Sequence, residues 1–188
     1  MKKVLAVILL LALIFESTAQ TGNTQLLKKG AMGKGKMPME KKLPGFPLAG
    51  TWLLKAAGVV LPDGTHATDP GLGKDAQGVL MIDRQGQYSL QIFKAERMKF
   101  ASGDKRLGTA EEYASAVLGM STHTGHIKMD TVNKTLQFNI DNAAFPNWDH
   151  TTQIRQYKLS GDELYYQLPA NAGAGTVAAS TWQRVIPE

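Results

Sequence analysis

The chain has 188 residues, no cysteine and a formal net charge of +5. Without cysteine there is no disulfide staple and no lipid attachment at a cleavage-site thiol, so an exported domain must rest on its core alone. The positive charge is not a nucleic-acid footprint, because from Leu48 to Glu188 thirteen Lys and Arg face fourteen Asp and Glu, which leaves the folding part no net attraction for phosphates.

Met1-Lys2-Lys3 precedes an uninterrupted apolar stretch from Val4 to Phe15, followed by Ser17-Thr18-Ala19. A basic start, an apolar core and small residues read as a secretory signal peptide over residues 1–19, cleaved after Ala19. The apolar core is twelve residues long, against about 20 for a helix that spans a bilayer. A bacterial periplasmic or secreted protein is expected. Residues 20–47 hold Lys28, Lys29, Lys34, Lys36, Lys41 and Lys42 against the single acid Glu40, with Pro38, Pro44 and Pro47 and no apolar periodicity. This composition reads as a basic flexible linker, either a solvated spacer or a weak contact with an anionic surface.

Residues 48–188 are expected to form one domain. Leu48 to Leu61 is the first strand-like run, ended by Pro62-Asp63-Gly64. Gly78 to Ile82 and Gln87 to Phe93 flank Asp83-Arg84-Gln85-Gly86, a hairpin signal. At Thr109 the pattern changes: Thr109 as N-cap with Glu112 three residues on predicts a short helix, with Tyr113, Val117 and Met120 on one face and an end near Gly119. His126 to Met129 and Leu136 to Ile140 flank a polar turn at Asp130 to Lys134, and Gln153 to Leu159 and Glu163 to Leu168 flank Ser160-Gly161-Asp162. The last run is Gly175 to Ile186, after an Ala/Gly-rich loop from Pro169. Eight sequential runs predict an all-β domain, an eight-stranded antiparallel up-and-down barrel with one short mid-domain helix.

The order of motifs resembles the lipocalin-like domain family of bacterial and fungal proteins, within the calycin barrels. The residues that carry the resemblance are Gly50-Thr51-Trp52, Lys99 to Asp104, Gly108 to Tyr113, Phe145-Pro146-Asn147-Trp148, Gln153-Ile154-Arg155 and Trp182-Gln183-Arg184. The resemblance implies that Trp52 sits at the closed end of the barrel and that a basic residue of the last strand, Arg184, packs across it as a structural signature. The mid-domain helix departs from secreted lipocalins, whose helix follows the last strand.

Strand alternation nominates the interior. Leu136, Phe138 and Ile140 share one face, Tyr88 is favoured inward on its run, and Gln153, Arg155 and Tyr157 share the parity of Leu159. A buried Arg155 requires a partner, either the anionic head of a guest or an internal acid such as Glu96 or Asp104. Trp148, with Phe145 and Pro146, either closes a barrel mouth over a guest or caps the core. Tyr88, Phe138, Trp148, Gln153, Arg155 and Tyr157 are therefore the candidate ligand-binding residues.

His123 and His126 are three apart, on opposite faces of a strand, and no metal site or cofactor is expected. Ser-His-Asp context, Gly-x-Ser-x-Gly and a phosphate loop are lacking, and Gly71-Leu72-Gly73-Lys74 has the wrong spacing for one. The expected function is non-enzymatic binding of a small, largely apolar molecule inside the barrel, by a monomer or small homo-oligomer. The reading fails if Tyr88, Phe138, Tyr157 and Tyr165 fill the interior. The alternatives are an isomerase or cyclase using Tyr157, Arg155 and His123, or a cell-envelope interaction module working through its basic linker.

Overall fold

Leu80, Leu90, Phe138, Leu164 and Trp182 come from five different strands, and all are essentially inaccessible to solvent. Their convergence defines the interior of a barrel. The computed structural model describes residues 45–168 and 175–186, all within one compact unit, Lys42–Glu188. The expected signal peptide and its cleavage after Ala19, the linker lysines Lys28 to Lys42 and the loop after Pro169 lie outside the described residues.

The strands, in chain order, are β1 (Gly50–Val60), β2 (His66–Thr68), β3 (Gln77–Ile82), β4 (Gln87–Phe93), β5 (Met120–Asp130), β6 (Thr135–Ala143), β7 (Thr152–Ser160), β8 (Glu163–Gln167) and β9 (Val177–Arg184). All neighbours pair antiparallel, and β9 returns to pair with β1 from Val177↔Val60 to Arg184↔Trp52. Eight strands close the barrel. The ninth, β2, is a short addition that pairs with the end of β1 alone among the described strands. His66-Ala67-Thr68 is too short to show alternation, which is why it has no signature in the sequence.

Helix α1 (Ala110–Leu118) begins with a full capping box: Glu112 N donates to Thr109 Oγ1 at 3.2 Å, and Thr109 N donates to Glu112 Oε2 at 2.8 Å. The other oxygen of Glu112 accepts from Ala101 N at 2.7 Å. The expected apolar face is not buried. Tyr113 and Val117 are exposed, the third residue, Met120, is half-buried as the first of β5, and Glu112 is the buried residue of the helix. Polar contacts hold this helix instead: besides Glu112, Tyr113 Oη donates to Lys105 O at 2.9 Å and accepts from Gly108 N, while its ring packs edge-on against Phe100.

β5 starts at Met120, directly after the helix end at Gly119, and carries His123 into the barrel. Its register with β6 shifts at Gly125, because Thr124 pairs with Asn142 and Gly125 with Ile140, which leaves Asp141 as an extra residue. Gly125 is required there, since a Cβ would lie 2.0 Å from Asn139 O. The bulge falls beyond Ile140, so Leu136, Phe138 and Ile140 all stay inside.

Trp52 and Arg184 close one end. Trp52 is fully buried, its Nε1 donates to Leu48 O at 2.9 Å, and the Arg184 guanidinium lies 4.1 Å from the ring centroid. Arg184 also donates to Ala49 O at 2.6 Å and Pro47 O at 3.2 Å, and faces Asp162 at 3.4 Å. Gly50 carries φ +138°, and a Cβ there would stand 3.2 Å from Arg184 Nη1. The glycine of Gly50-Thr51-Trp52 is thus part of the seal, admitting the guanidinium against the backbone.

Candidate functional site

At the other end of the same strands the interior holds a cavity of about 240 Å³. Ala57 and Gly58 on β1 and Ala178 to Ser180 on β9 line one wall, and their small side chains leave the space open. Leu72, Leu118, Trp148 and Leu168 give an apolar lining from the connections and strand ends. Leu72 is brought in by a tight loop in which Asp69 Oδ1 accepts from Gly71 N and Leu72 N at 2.8 and 2.9 Å. Trp148 sits in a 3-10 turn (Pro146–Trp148) stiffened by Pro146 and tied to β6 through Asp149 Oδ1, which accepts from Ala143 N at 2.7 Å.

The polar lining is concentrated on β5, β7 and β8. Arg155, on β7, is 7% exposed and its guanidinium carbon lies 4.0 Å from the Phe138 centroid and 5.0 Å from that of Tyr166, two rings that adjoin each other at 5.5 Å. Its Nη2 donates to Gln153 Oε1 at 2.8 Å and lies 3.1 Å from His123 Nε2. Among the described residues no carboxylate pairs with Arg155, and its buried Nε has no acceptor. The internal acids suggested by the sequence do not serve: Asp104 pairs with Arg106 at 2.6 Å, and Glu96 is exposed.

His123 is 3% exposed. Arginine only donates, so His123 Nε2 must accept, the proton resides on Nδ1, and Nδ1–H donates to Tyr88 Oη at 2.7 Å. Burial first, and the Arg155 charge second, push the His123 pKa down to about 3. Burial raises the Tyr88 hydroxyl well above the ordinary phenol range, against a smaller lowering by Arg155. Near neutral pH His123 is therefore neutral and Tyr88 un-ionised.

Of the six candidate ligand-binding residues, Trp148, Gln153 and Arg155 line the cavity. Tyr88 and Phe138 form the layer beneath, holding His123 by a hydrogen bond and Arg155 by a ring face. Tyr157 is buried toward the other end of β7, opposite Tyr166, and does not line the cavity. It therefore does not join Arg155 and His123 in the enclosed trio on which the isomerase reading relied.

Tyr165 points outward, with its hydroxyl on Gln167, and the inward tyrosine of β8 is Tyr166. Parity with Leu164 identifies Tyr166 in the sequence, whereas Leu72 and Leu118 belong to no strand and carry no periodic signal. Tyr166 Oη is buried close to Trp182, Ser180 and Arg155, none of which meets it in hydrogen-bond geometry. Among the described residues no cluster of three or more His, Asp or Glu is arranged to hold a metal ion.

No curated protein matches the chain. Among solved structures it is similar to one described as a REP1-NXSQ fatty acid transporter, with 14% identity over 75% of this chain and 98% of that one and a TM-score of 0.35. Residues 49–185 match the family described as the lipocalin-like domain, from just before Trp52 of the seal to just after Arg184, with every barrel strand between them. The chain belongs to the lipocalin-like domain family.

Proposed function

We propose that this chain is an exported, non-enzymatic carrier that holds a small, largely apolar molecule in its barrel, with Arg155 and Gln153 orienting a polar or anionic head. The observation that carries the reading is the Arg155 guanidinium, buried on the cavity wall without a carboxylate partner among the described residues. A buried charge left unpaired costs several kcal/mol, on the order of 3–5. A fold tolerates that cost where an incoming group supplies the opposite charge.

The small residues Gly58 and Ala179 and the apolar Leu72, Leu118, Trp148 and Leu168 fit the body of such a guest. The neutral His123 and the un-ionised Tyr88 favour a carrier over the isomerase or cyclase, which needs a proton acceptor working near neutral pH. Export follows from the leader-like start of the sequence, and the basic segment through Lys42 serves as a spacer that adds at most a weak anionic-surface contact.

Native mass spectrometry of the mature protein from its exporting host tests both parts. The expected result is a chain beginning at Gln20 with a reproducible small-molecule adduct that is lost in Arg155→Ala. A clean apo mass, unchanged by extracts of that host, contradicts the carrier reading, and an intact Met1 contradicts the export reading.

A further inference from the structure

The geometry points to a second copy of this chain as the partner of helix α1, the two helices antiparallel across a two-fold axis, so that each copy covers the other's cavity mouth. The inference is independent of what the cavity holds.

The helix is amphipathic the wrong way round. Its inward side carries Glu112, Ser115 and Ala116, while Ala110, Tyr113, Ala114, Val117 and Leu118 are all exposed. At about 100° per residue these five fill one contiguous outward face, with Ala110, Ala114 and Val117 along its middle and Tyr113 and Leu118 at its edges. Glu111 is the one charged residue on its border. A surface helix turns such a face to the core, so an apolar face turned to water marks a contact with another molecule. The face reaches the mouth. Leu118 is 72% exposed and also lines the cavity, and the exposed Phe145 packs edge-on against Trp148 of the same lining. A molecule seated on the C-terminal half of α1 therefore covers the opening.

Charge selects the partner. The segments around the mouth, residues 69–76, 94–118 and 141–150, hold six Lys and Arg against eight Asp and Glu, which gives an anionic lipid surface no attraction. The charges are arranged instead to complement a copy of themselves. Glu111 stands in the first turn of α1, and at the other end the Arg97 side chain lies against Gly119, where a Cβ would be 3.3 Å from Arg97 Cγ and Cδ. Neither Glu111 nor Arg97 is in an ion pair among the described residues. In an antiparallel pair Glu111 of each copy comes to Arg97 of the other, twice by symmetry, and the opposed helix dipoles favour the same arrangement. Shape agrees. An axis through Ala114 sets Leu118 of one helix over Ala110 of the other, large on small, and the two Ala114 side chains let the helices approach closely. One nine-residue helix face with its rim is smaller than the standard interface of about 800 Å² per partner, so the dimer forms at micromolar rather than nanomolar concentration.

Sedimentation velocity of the mature protein from ~5 to ~500 µM tests the assignment. The expected result is a monomer–dimer equilibrium, weakened at least ~10-fold by Ala114→Glu, which sets like charges on the axis at a position exposed in the monomer. Glu111→Arg and Arg97→Glu should each weaken the dimer by about 3-fold or more, and the two together should restore it, a rescue that contact through any other face does not give. Trp52 and Trp182 are fully buried, so acrylamide quenching reads Trp148 at the mouth. Quenching should fall as the dimer forms and should not change with concentration in Ala114→Glu. A chain that stays monomeric throughout overturns the proposal, and its flotation with vesicles of phosphatidylcholine and phosphatidylglycerol would assign the face to lipid instead. A dimer indifferent to Ala114→Glu, or one that leaves Trp148 as open to quencher as the monomer does, puts the contact on another face and overturns the proposal too.

Discussion

Arg155 Nη2 stands 3.1 Å from His123 Nε2, and this contact fixes the protonation of the barrel interior. An obligate donor against one imidazole nitrogen forces the proton onto the other, which then binds Tyr88. A proton added to Nε2 would meet the guanidinium head-on, among the rings of Phe138 and Trp148. The result is a histidine that stays neutral down to about pH 3.

That depression makes stability fall with acid. The unfolded chain takes up a proton at His123 near the ordinary 6.5 and the folded chain only near 3. The contribution is complete above pH 6.5 and is lost as the pH drops through that window, with a limiting slope of about 1.4 kcal/mol per pH unit. Urea unfolding between pH 6.5 and 4.5 should show it, above the range where Asp63, Asp104 and Asp130, all held below the usual carboxylate value by hydrogen bonds, begin to protonate. His123→Gln should flatten the slope. A wild-type chain whose stability does not change across the window would show that His123 is not held neutral.

The seal at the far end is independent of the cavity. Arg184→Ala removes a cation–π contact worth ~0.5–2 kcal/mol and uncovers the carbonyls of Ala49 and Pro47. A loss of about 1–3 kcal/mol in urea unfolding is expected, with guest affinity unchanged. Arg184→Lys should recover only part of it, because an ammonium does not reproduce a stacked, forked donor.

Glu112 is the joint of the mouth helix. Glu112→Ala leaves Ala101 N and Thr109 N unpaired, a cost of about 1–2 kcal/mol. The effect should be local, seen as faster amide exchange from Ala101 to Leu118 with barrel amides little changed. Because Leu118 lines the cavity, guest dissociation should quicken too. Uniform acceleration across the whole barrel would contradict this.

The barrel was legible because its strands alternate cleanly: Leu136, Phe138 and Ile140 inward, and Gln153, Arg155 and Tyr157 on one parity. The capping box of Thr109 and Glu112 was equally plain. Other features lay outside local pattern. The bulge at Asp141 depends on a backbone approach at Gly125 that only the paired strands create, and β2 is shorter than one period of evidence. The helix misled because its apolar residues share a face at helical spacing, while Glu112 and Tyr113 anchor it through polar contacts. The partner of Arg155 was not legible either. Parity aims a side chain inward, but whether an acid waits there depends on which loops cover the mouth.

The central claim is that the charge of Arg155 goes without an anionic partner until a guest brings one. Gln153 already touches Arg155 Nη2 at 2.8 Å, so Gln153→Glu places an anion there with almost no change of shape. Converting a neutral acceptor to a charged one adds roughly 1 kcal/mol, or about 3–5 °C in Tm for a domain of this size. Thermal unfolding of the wild type and Gln153→Glu, each with and without octanoate as a small apolar probe with one anionic head, is the decisive measurement. The account predicts a guest-free variant more stable than the guest-free wild type and a Tm rise with octanoate in the wild type alone. A variant with unchanged or lower Tm that still responds to octanoate would contradict it.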